Sequence, residues 1–535
     1  MHATMMNFPL TLTHIFGRAG RLFPDAEIVS RLPDKSLHRY RYADFHRRAG
    51  ALAGALRDMG LARGDRVATL MWNHYAHLEA YFAVPCSGAV VHTLNLRLHP
   101  DDIAYIAAEG GARFLIVDDV LLPLYDKFKA STKFEKVIVV PLTGAPVPDG
   151  CDDYEQVIAK GRARKWPALK EEAPAGMCYT SGTTGRPKGV VYSHRALVLH
   201  SFASALPDVM ALSNHDSVCP VVPMFHVNAW GLPFTTVMMG AKIAFPGPHL
   251  DAVNLLDLYE SEGVTLSAGV PTIWMAILQA LDKEPSRWKL GAGMRMVVGG
   301  AAVPEILIRG LDRHGLKVIH GWGMTEMSPI GTVNYIKREL AGLAPDAAYA
   351  VRLKQGVPLP FVEVRAMTPE GDAPWDGESM GELEVRGPWI AARYHAPGED
   401  PTKWSEDGWF RTGDVVTVDE HGYVKITDRI KDLVKSGGEW ISSVDLENAL
   451  VGHPKVAEAA VIAVSDERWG ERPLAVVALK AGESASEEEL RAYLAPNFSR
   501  IWLPDGVVFV PEIPRTSTGK MLKAKLREQF SNWKK

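Results

Sequence analysis

The sequence predicts an α/β fold in its larger N-terminal part and a smaller α+β unit at the C-terminus. Three observations carry this reading. Strand-like and helix-like patterns alternate from the N-terminus to about Val357, and hairpin-like segments take over there. A fresh α+β pattern then starts after the charged, glycine-ended stretch "DRIKDLVKSGG".

In the first part, the runs "DRVATLMW", "RFLIVDD", "KVIVVP", "KIAFPG", "VTLSAGVP" and "MRMVVGG" read as buried strands. Between them, "YADFHRRAGALAGALRDMG", "HPDDIAYIAAEGG", "LDAVNLLDLYESEG" and "PEILIRGLDRHG" have helical spacing and end in glycine. Strand–helix alternation of this kind gives parallel sheets covered by helices. Beyond Val357, "GELEVRGPW" and "GWFRTGDVVTVDEHGYVKITDR" read as a small antiparallel barrel or sheet. The C-terminal unit reads as "SSVDLENALVGHP", "VAEAAVIAV", "PLAVVALKAG", "SEEELRAYLAP" and "GVVFVPEIP". Two self-sufficient patterns meet at "DRIKDLVKSGG", so the boundary is set between residues 1–428 and 429–535.

Composition narrows the class. The chain is 47% hydrophobic and 23% charged, as in a soluble globular protein, and its formal charge of −4 gives no reason to expect nucleic acid as a partner. Cys86, Cys151, Cys178 and Cys219 form no CxxC pair, which argues against a zinc site or a disulfide framework and fits a reducing cytosol. No secretory signal is visible at the N-terminus. The most apolar window, "LEAYFAVPCSGAVV", is shorter than the roughly 20 helical residues that span a bilayer. A cytoplasmic protein without an integral membrane segment is expected.

The stretch "YTSGTTGRPKG" (179–189) is too rich in glycine to be a good helix or strand. Its glycines let backbone N–H groups converge, and its hydroxyls and Lys188 add donors, so the ligand that fits is a polyphosphate. A Walker A loop ends Gly-Lys-Ser/Thr, whereas Pro187 precedes Lys188 and Gly189 follows it. Ser193 is placed to cap the helix that follows.

This loop resembles the phosphate loop of the adenylate-forming superfamily of acyl-CoA synthetases, adenylation domains and luciferases. Four more stretches of that family's kind follow in order: "GWGMTE", "GWFRTGD", "DRIKDLVKSGGEWIS" and "PRTSTGK". Within the family, "VVPMFHVNAWG" and "KSGGEWISSVDLENAL" are similar to medium- and long-chain fatty acyl-CoA synthetases. The resemblance implies a large N-terminal domain of two helix-covered, mostly parallel sheets plus a small β-barrel. It also implies a mobile C-terminal domain that turns about a hinge near Lys431. The implied reaction joins a carboxylate to the α-phosphate of ATP, releases pyrophosphate, and passes the acyl group of acyl-AMP to the thiol of CoA.

Site residues follow from the same resemblance. Thr180, Ser181, Gly182, Thr183, Thr184, Gly185 and Lys188 are expected at the β- and γ-phosphates, with Thr180 and Glu326 on Mg²⁺. His320, Gly321, Trp322, Gly323, Met324 and Thr325 are expected at the nucleotide, Trp322 stacking on adenine where relatives more often have tyrosine. Asp414 is expected on the ribose hydroxyls, with Arg429, Lys431 and Lys435 as charged donors, while Gly299, Gly300 and Ala301 permit close approach of base and acyl group. Lys520 is expected to bring a cation to the reacting carboxylate and α-phosphate, with His226 and Glu326 as the other catalytic residues. The basic residues after it, Lys523, Lys525 and Arg527, read as a solvated helix face.

For the acyl group the expected residues are His226, Val227, Asn228, Trp230, Gly231, Gly300 and Gly331, with Trp230 gating the tail and Gly269 leaving room for it. For CoA they are Lys435, Gly437, Gly438, Glu439 and Trp440, which the rotation brings to the site. No charge lies in "FHVNAWG" to pair with an ammonium group, which disfavours an amino-acid substrate. "GESMG" matches the hydrolase nucleophile elbow, but a turn precedes it and a strand follows, so the match is chance. The expected activity is an ATP-dependent ligase of medium- to long-chain fatty acids and CoA. The alternatives are a 3-methylthiopropionate ligase, a luciferase-like oxygenase and a carrier-loading enzyme. A homodimer is what the closest relatives suggest.

Overall fold

The computed structural model describes residues 3–180, 186–396, 400–437, 439–515 and 521–533. Its N-terminal part is built on two sheets. The first has seven strands in the order Asp152–Asp153, Lys136–Val140, Ala112–Asp118, Arg66–Leu70, Val90–Thr93, Pro174–Tyr179 and Gly189–Ser193. All its pairs are parallel except the last.

The second sheet has nine strands. Lys317–Gly323, Arg295–Val298, Leu266–Gly269, Ser217–Pro220, Lys242–Phe245 and Glu27–Arg31 run parallel through its middle. Both edges are antiparallel, with Leu37–Arg41 at one end and Ile330–Val333 and Val357–Pro358 at the other. Every run read as a buried strand lies in one of these two sheets. The pair Glu27–Arg31 and Leu37–Arg41 was not among those runs, because its place beside Lys242–Phe245 rests on a contact distant in sequence.

Strand periodicity explains how the sheets stack. Along Ala112–Asp118, Phe114 and Ile116 enter one core while Leu115 and Val117 enter another. Along Arg295–Val298, Val297 shares the first of these cores while Met296 and Val298 face a third. Side chains alternate along a strand, so a strand buried on both faces must be apolar throughout. The shared core holds helices Leu12–Leu22, Tyr42–Asp58, Tyr75–Cys86, His194–Ala205 and Leu232–Met239 between the sheets. Phe82 sits at its centre, with ring centroids 5.6 Å from Phe16, 5.5 Å from Phe45 and 5.6 Å from Phe234. Helices Ala252–Glu262, Pro271–Lys283 and Glu305–Arg313 cover the outer face of the nine-stranded sheet.

The region expected as a small barrel is a five-stranded antiparallel sheet in the order Gly371–Asp372, Glu363–Thr368, Gly381–Arg386, Phe410–Val418 and Val424–Arg429. Among the described residues no ladder joins its two ends. "GESMG" lies in an exposed turn before Gly381–Arg386, where Ser379 Oγ donates to Asp376 Oδ2 at 2.7 Å.

The C-terminal sheet comprises Glu439–Ile441, Val434–Ser436, Gly470–Leu479, Val456–Asp466 and Gly506–Phe509, packed with helices Ser443–Val451, Glu487–Leu494 and Lys523–Gln529. The last helix corrects the solvated-face reading for Lys523 and Arg527, while Lys525 is exposed. Lys523 is buried, 2.6 Å from both Glu447 Oε1 and Ser443 Oγ, and Arg527 pairs with Asp432 at 2.6 Å. Spacing alone gives no sign of carboxylates that approach from other elements.

Candidate active site

A cavity of about 530 Å³ opens where the carboxyl ends of the nine-stranded sheet meet the antiparallel sheet and the start of the C-terminal part. Crevices at such strand ends are where α/β sheets bind ligands. Val298 ends one strand and enters the wall with Gly299 and Gly300 directly after it, Val270 follows another, and Val222 and Pro223 a third. The antiparallel sheet supplies Phe410, Thr412 and Gly413, and the C-terminal side supplies Arg429, Ile430, Lys431, Asp432 and Met521.

Part of the wall is charged. The strands Pro174–Tyr179 and Gly189–Ser193 continue into a closing pair in which Thr180 N donates to Lys188 O and Lys188 N donates to Thr180 Oγ1, each at 3.0 Å. Thr180 and Lys188 thus enter the wall together, with Ser181, Gly182, Thr183, Thr184 and Gly185 between them outside the described residues. Lys188 Nζ lies 2.7 Å from Asp400 Oδ2 and 4.9 Å from the centre of the Tyr394 ring. Tyr394 donates its hydroxyl to Glu326 Oε1 at 2.8 Å, and Tyr192 donates to Thr325 O at 2.7 Å. Glu326 is 5% exposed and lines the cavity. Two oxygen-bearing side chains, Thr180 and Glu326, suit Mg²⁺, which keeps waters and takes further ligands from phosphate. Among the described residues no group of three His, Cys, Asp or Glu side chains offers a complete protein cage.

Gly321, Trp322, Gly323, Met324 and Thr325 also line the wall. Trp322 Nε1 donates to Asp414 Oδ2 at 2.9 Å, and Arg429 pairs with Asp414 Oδ1. Asp414 itself is buried behind these two partners rather than on the wall. His320 is also off the wall. Alternation along Lys317–Gly323 turns it into the interior, where burial lowers its pKa to about 4. Ala301 is exposed and lies outside the cavity, whereas Gly300, with φ of +83°, is in the wall.

The wall also has an apolar component from Val222, Val227, Trp230, Val297, Ile319 and Ile330, and His226 lines it too. Val227, Asn228, Ala229 and Trp230 have φ of 43°, 57°, 48° and 57°, and Gly231 follows at 77°. This is a left-handed turn, which costs non-glycine residues about 1–2 kcal/mol each. Three-residue spacing puts Val227 and Trp230 on the cavity side. Asn228 faces the interior, where its Oδ1 accepts from Tyr81 OH at 3.1 Å, so it does not line the cavity. Gly231 is likewise off the wall; a Cβ there would lie 2.7 Å from the His200 ring. A Cβ at Gly331 would meet the Trp322 ring at 2.9 Å, and one at Gly269 the Trp274 ring at 2.8 Å. Both glycines therefore seat indoles, and neither lines the cavity.

Lys431 lines the cavity, and burial lowers its pKa. Lys435, Gly437, Glu439 and Trp440 do not line it; they lie in and beside the hairpin Val434–Ser436 and Glu439–Ile441, where Gly437 N donates to Trp469 O at 2.8 Å. Gly438 and Lys520 are outside the described residues. Tyr394, Asp400 and Glu382 are wall residues that sequence reasoning missed; "ARYHAPGEDPTKW" carries turn residues but no recognisable spacing.

Residues 16–395 match the AMP-binding enzyme family, and residues 445–520 match the AMP-binding enzyme C-terminal domain. The chain belongs to the AMP-binding enzyme family. It is similar to a long-chain-fatty-acid–CoA ligase of Thermus thermophilus, 49% identical over 99% of this chain and 97% of that one. It is also similar to a 3-methylmercaptopropionyl-CoA ligase of Ruegeria pomeroyi, 42% identical over 99% of each chain. Among solved structures it resembles an anthranilate CoA ligase in complex with anthranoyl-AMP, with a TM-score of 0.86, 25% identity and 99% of each chain covered. As an AMP-binding enzyme, the chain has the mixed α/β fold with a separate C-terminal α+β unit that its motifs implied.

Proposed function

We propose that this AMP-binding enzyme is an ATP-dependent acid:CoA ligase that activates medium- to long-chain fatty acids through acyl-AMP, releasing pyrophosphate and AMP. One observation carries the reading: a single cavity is lined by a cation and a hydroxyl at Lys188 and Thr180, an indole at Trp322, and apolar side chains at Val227 and Trp230. These groups suit a polyphosphate, a base and an acyl tail respectively. Each buried CH₂ of a tail contributes about 0.8 kcal/mol, so an apolar lining of this kind favours longer acids.

In this proposal Lys188, with Ser181 to Gly185, holds the β- and γ-phosphates while Trp322 stacks on adenine. Mg²⁺, held by Thr180 and Glu326, would neutralise phosphate charge. Asp414 fixes Trp322 and Arg429 beside the nucleotide rather than meeting the ribose as an open carboxylate. His226 borders the carboxylate, and Lys520 offsets charge as carboxylate meets α-phosphate. The domains are divided at residues 428 and 429. Met521 lies in the cavity wall and Trp440 does not, which supports an orientation suited to adenylation. Rotation about Lys431 would then bring Lys435, Gly437, Gly438, Glu439 and Trp440 toward CoA. The cytoplasmic location and the homodimer remain part of the proposal, and sedimentation tests the second.

The deciding assay is pyrophosphate release across unbranched acids of graded length, with CoA-dependent release of AMP. A maximum at medium or long acids supports the reading. A maximum at 3-methylthiopropionate would favour the second reading, which the 42% identity to the Ruegeria ligase supports. Turnover that needs O₂ but not CoA would point instead to luciferase-like chemistry.

A further inference from the structure

We infer that Asp400 competes with the polyphosphate for Lys188, and so sets both how tightly ATP is held and how readily pyrophosphate leaves. This rests on the nucleotide reading above. The geometry begins with the 2.7 Å pair between Lys188 Nζ and Asp400 Oδ2. The other carboxylate oxygen accepts from Thr402 Oγ1 at 2.8 Å, so the group is oriented as well as charged. Hydrogen bonds from Lys188 and then Thr402 hold the Asp400 carboxyl below its ordinary pKa, which keeps it anionic at neutral pH.

Both partners stand on the cavity wall beside Thr180 and Glu326. The lysine belongs to the phosphate loop, whereas the aspartate comes from the segment before Phe410–Val418. A phosphate oxygen and the Asp400 carboxylate want the same donor and repel each other. The two side chains are 23% and 31% exposed, so the pair is partly screened and opens readily. Arg48 and Glu79 form a contrasting pair, with the carboxylate fully buried and the arginine also bound to Glu155. That arrangement suits a permanent link, and the Lys188–Asp400 arrangement suits exchange. Tyr394 keeps the ammonium in place by its ring face, so Lys188 stays at the wall when its carboxylate partner changes.

The test compares wild type with Asp400→Asn and Asp400→Ser by calorimetric titration of the full chain with Mg²⁺–ATP and with pyrophosphate, after thermal unfolding confirms that each variant is folded. Both variants should bind ATP and pyrophosphate about 5- to 10-fold more tightly, the scale of removing one partly screened charge. KM for ATP should fall while pyrophosphate becomes a stronger product inhibitor, a split that a merely structural residue would not give. In a Lys188→Ala background the gain should shrink below about 2-fold, because the competitor then has nothing to compete for. Unchanged or weaker binding by the Asp400 variants overturns the inference, as does a gain that persists without Lys188. If wild type binds no ATP, the nucleotide reading itself fails. If wild type binds ATP and the variants do not tighten, only the competition is wrong.

Discussion

Trp322 and Asp414 are joined by an indole hydrogen bond of 2.9 Å across two different sheets, and Arg429 pairs with the other oxygen of the same carboxylate. One buried acid thereby sets the position of a ring and a cation that both line the cavity. Trp322→Phe keeps an aromatic face but leaves Asp414 Oδ2 without its donor. Loss of a partner from a buried polar group costs about 1–3 kcal/mol, so urea unfolding should shift by that amount. ATP binding should weaken several-fold as Arg429 relaxes. Unaltered stability with unaltered KM for ATP would show that the bond positions nothing.

Lys520→Ala should separate the two half-reactions. Its proposed cation is needed while the carboxylate meets α-phosphate and not once acyl-AMP exists. Loss of one preorganised donor lowers rate by about 10²–10³. Acyl-AMP formation should fall at least that far, while supplied acyl-AMP and CoA give thioester at near the normal rate. Equal losses in both steps would sink the assignment.

Trp230→Ala should change the acyl-length profile far more than the affinity for ATP. The indole is 9% exposed and lines the cavity, and a Cβ at Gly299 would lie 3.4 Å from it. Removing it enlarges the cavity there, so preference should move progressively toward longer acids, in steps of up to about 0.8 kcal/mol per CH₂. An unchanged profile together with lost ATP binding would place the residue in the wrong part of the cavity.

Acid should destabilise the protein through its buried histidines. Burial lowers His77, His92 and His200 to about 3, and His194 and His320 to about 4. An unfolded histidine titrates near 6.5, so below about pH 6.5 the unfolded chain takes up protons that the folded chain refuses. Stability is therefore full above that pH and is lost as pH falls toward 4, by about 1.4 kcal/mol per histidine per pH unit within the window. Denaturant midpoints at pH 7, 6 and 5, with proton uptake measured on unfolding, check this. A flat profile would mean that the imidazoles find partners for their charged form.

Much of this was legible in the sequence because the signals are local. A strand apolar on both faces, such as Phe114 to Val117, announces a covered parallel sheet, and the Ser193 cap was readable from its place before the helix; it accepts from Ala196 N at 3.1 Å. Many of the site residues that line the cavity belong to motifs that fix backbone at a strand end, as in Gly321 to Glu326. What escaped depends on side-chain direction or distant partners. His320 and Asn228 sit inside recognisable motifs yet point away, and Lys523 is buried by Glu447 from another helix. Asp400 had no pattern to mark it, since its meaning comes from Lys188 far back in the chain.

The left-handed turn at Val227 to Gly231 sets a rule for redesigning the proposed acyl pocket that volume alone does not capture. Substitutions chosen only to widen or narrow the tail end must also tolerate mirror-image backbone geometry, and β-branched residues tolerate it worst. Val227 already occupies such a conformation at φ of 43°. A library over residues 227–230 should therefore be filtered by chirality before size: glycine and asparagine admit the backbone, while isoleucine or threonine at 228 or 229 would unwind it and carry Trp230 away with it.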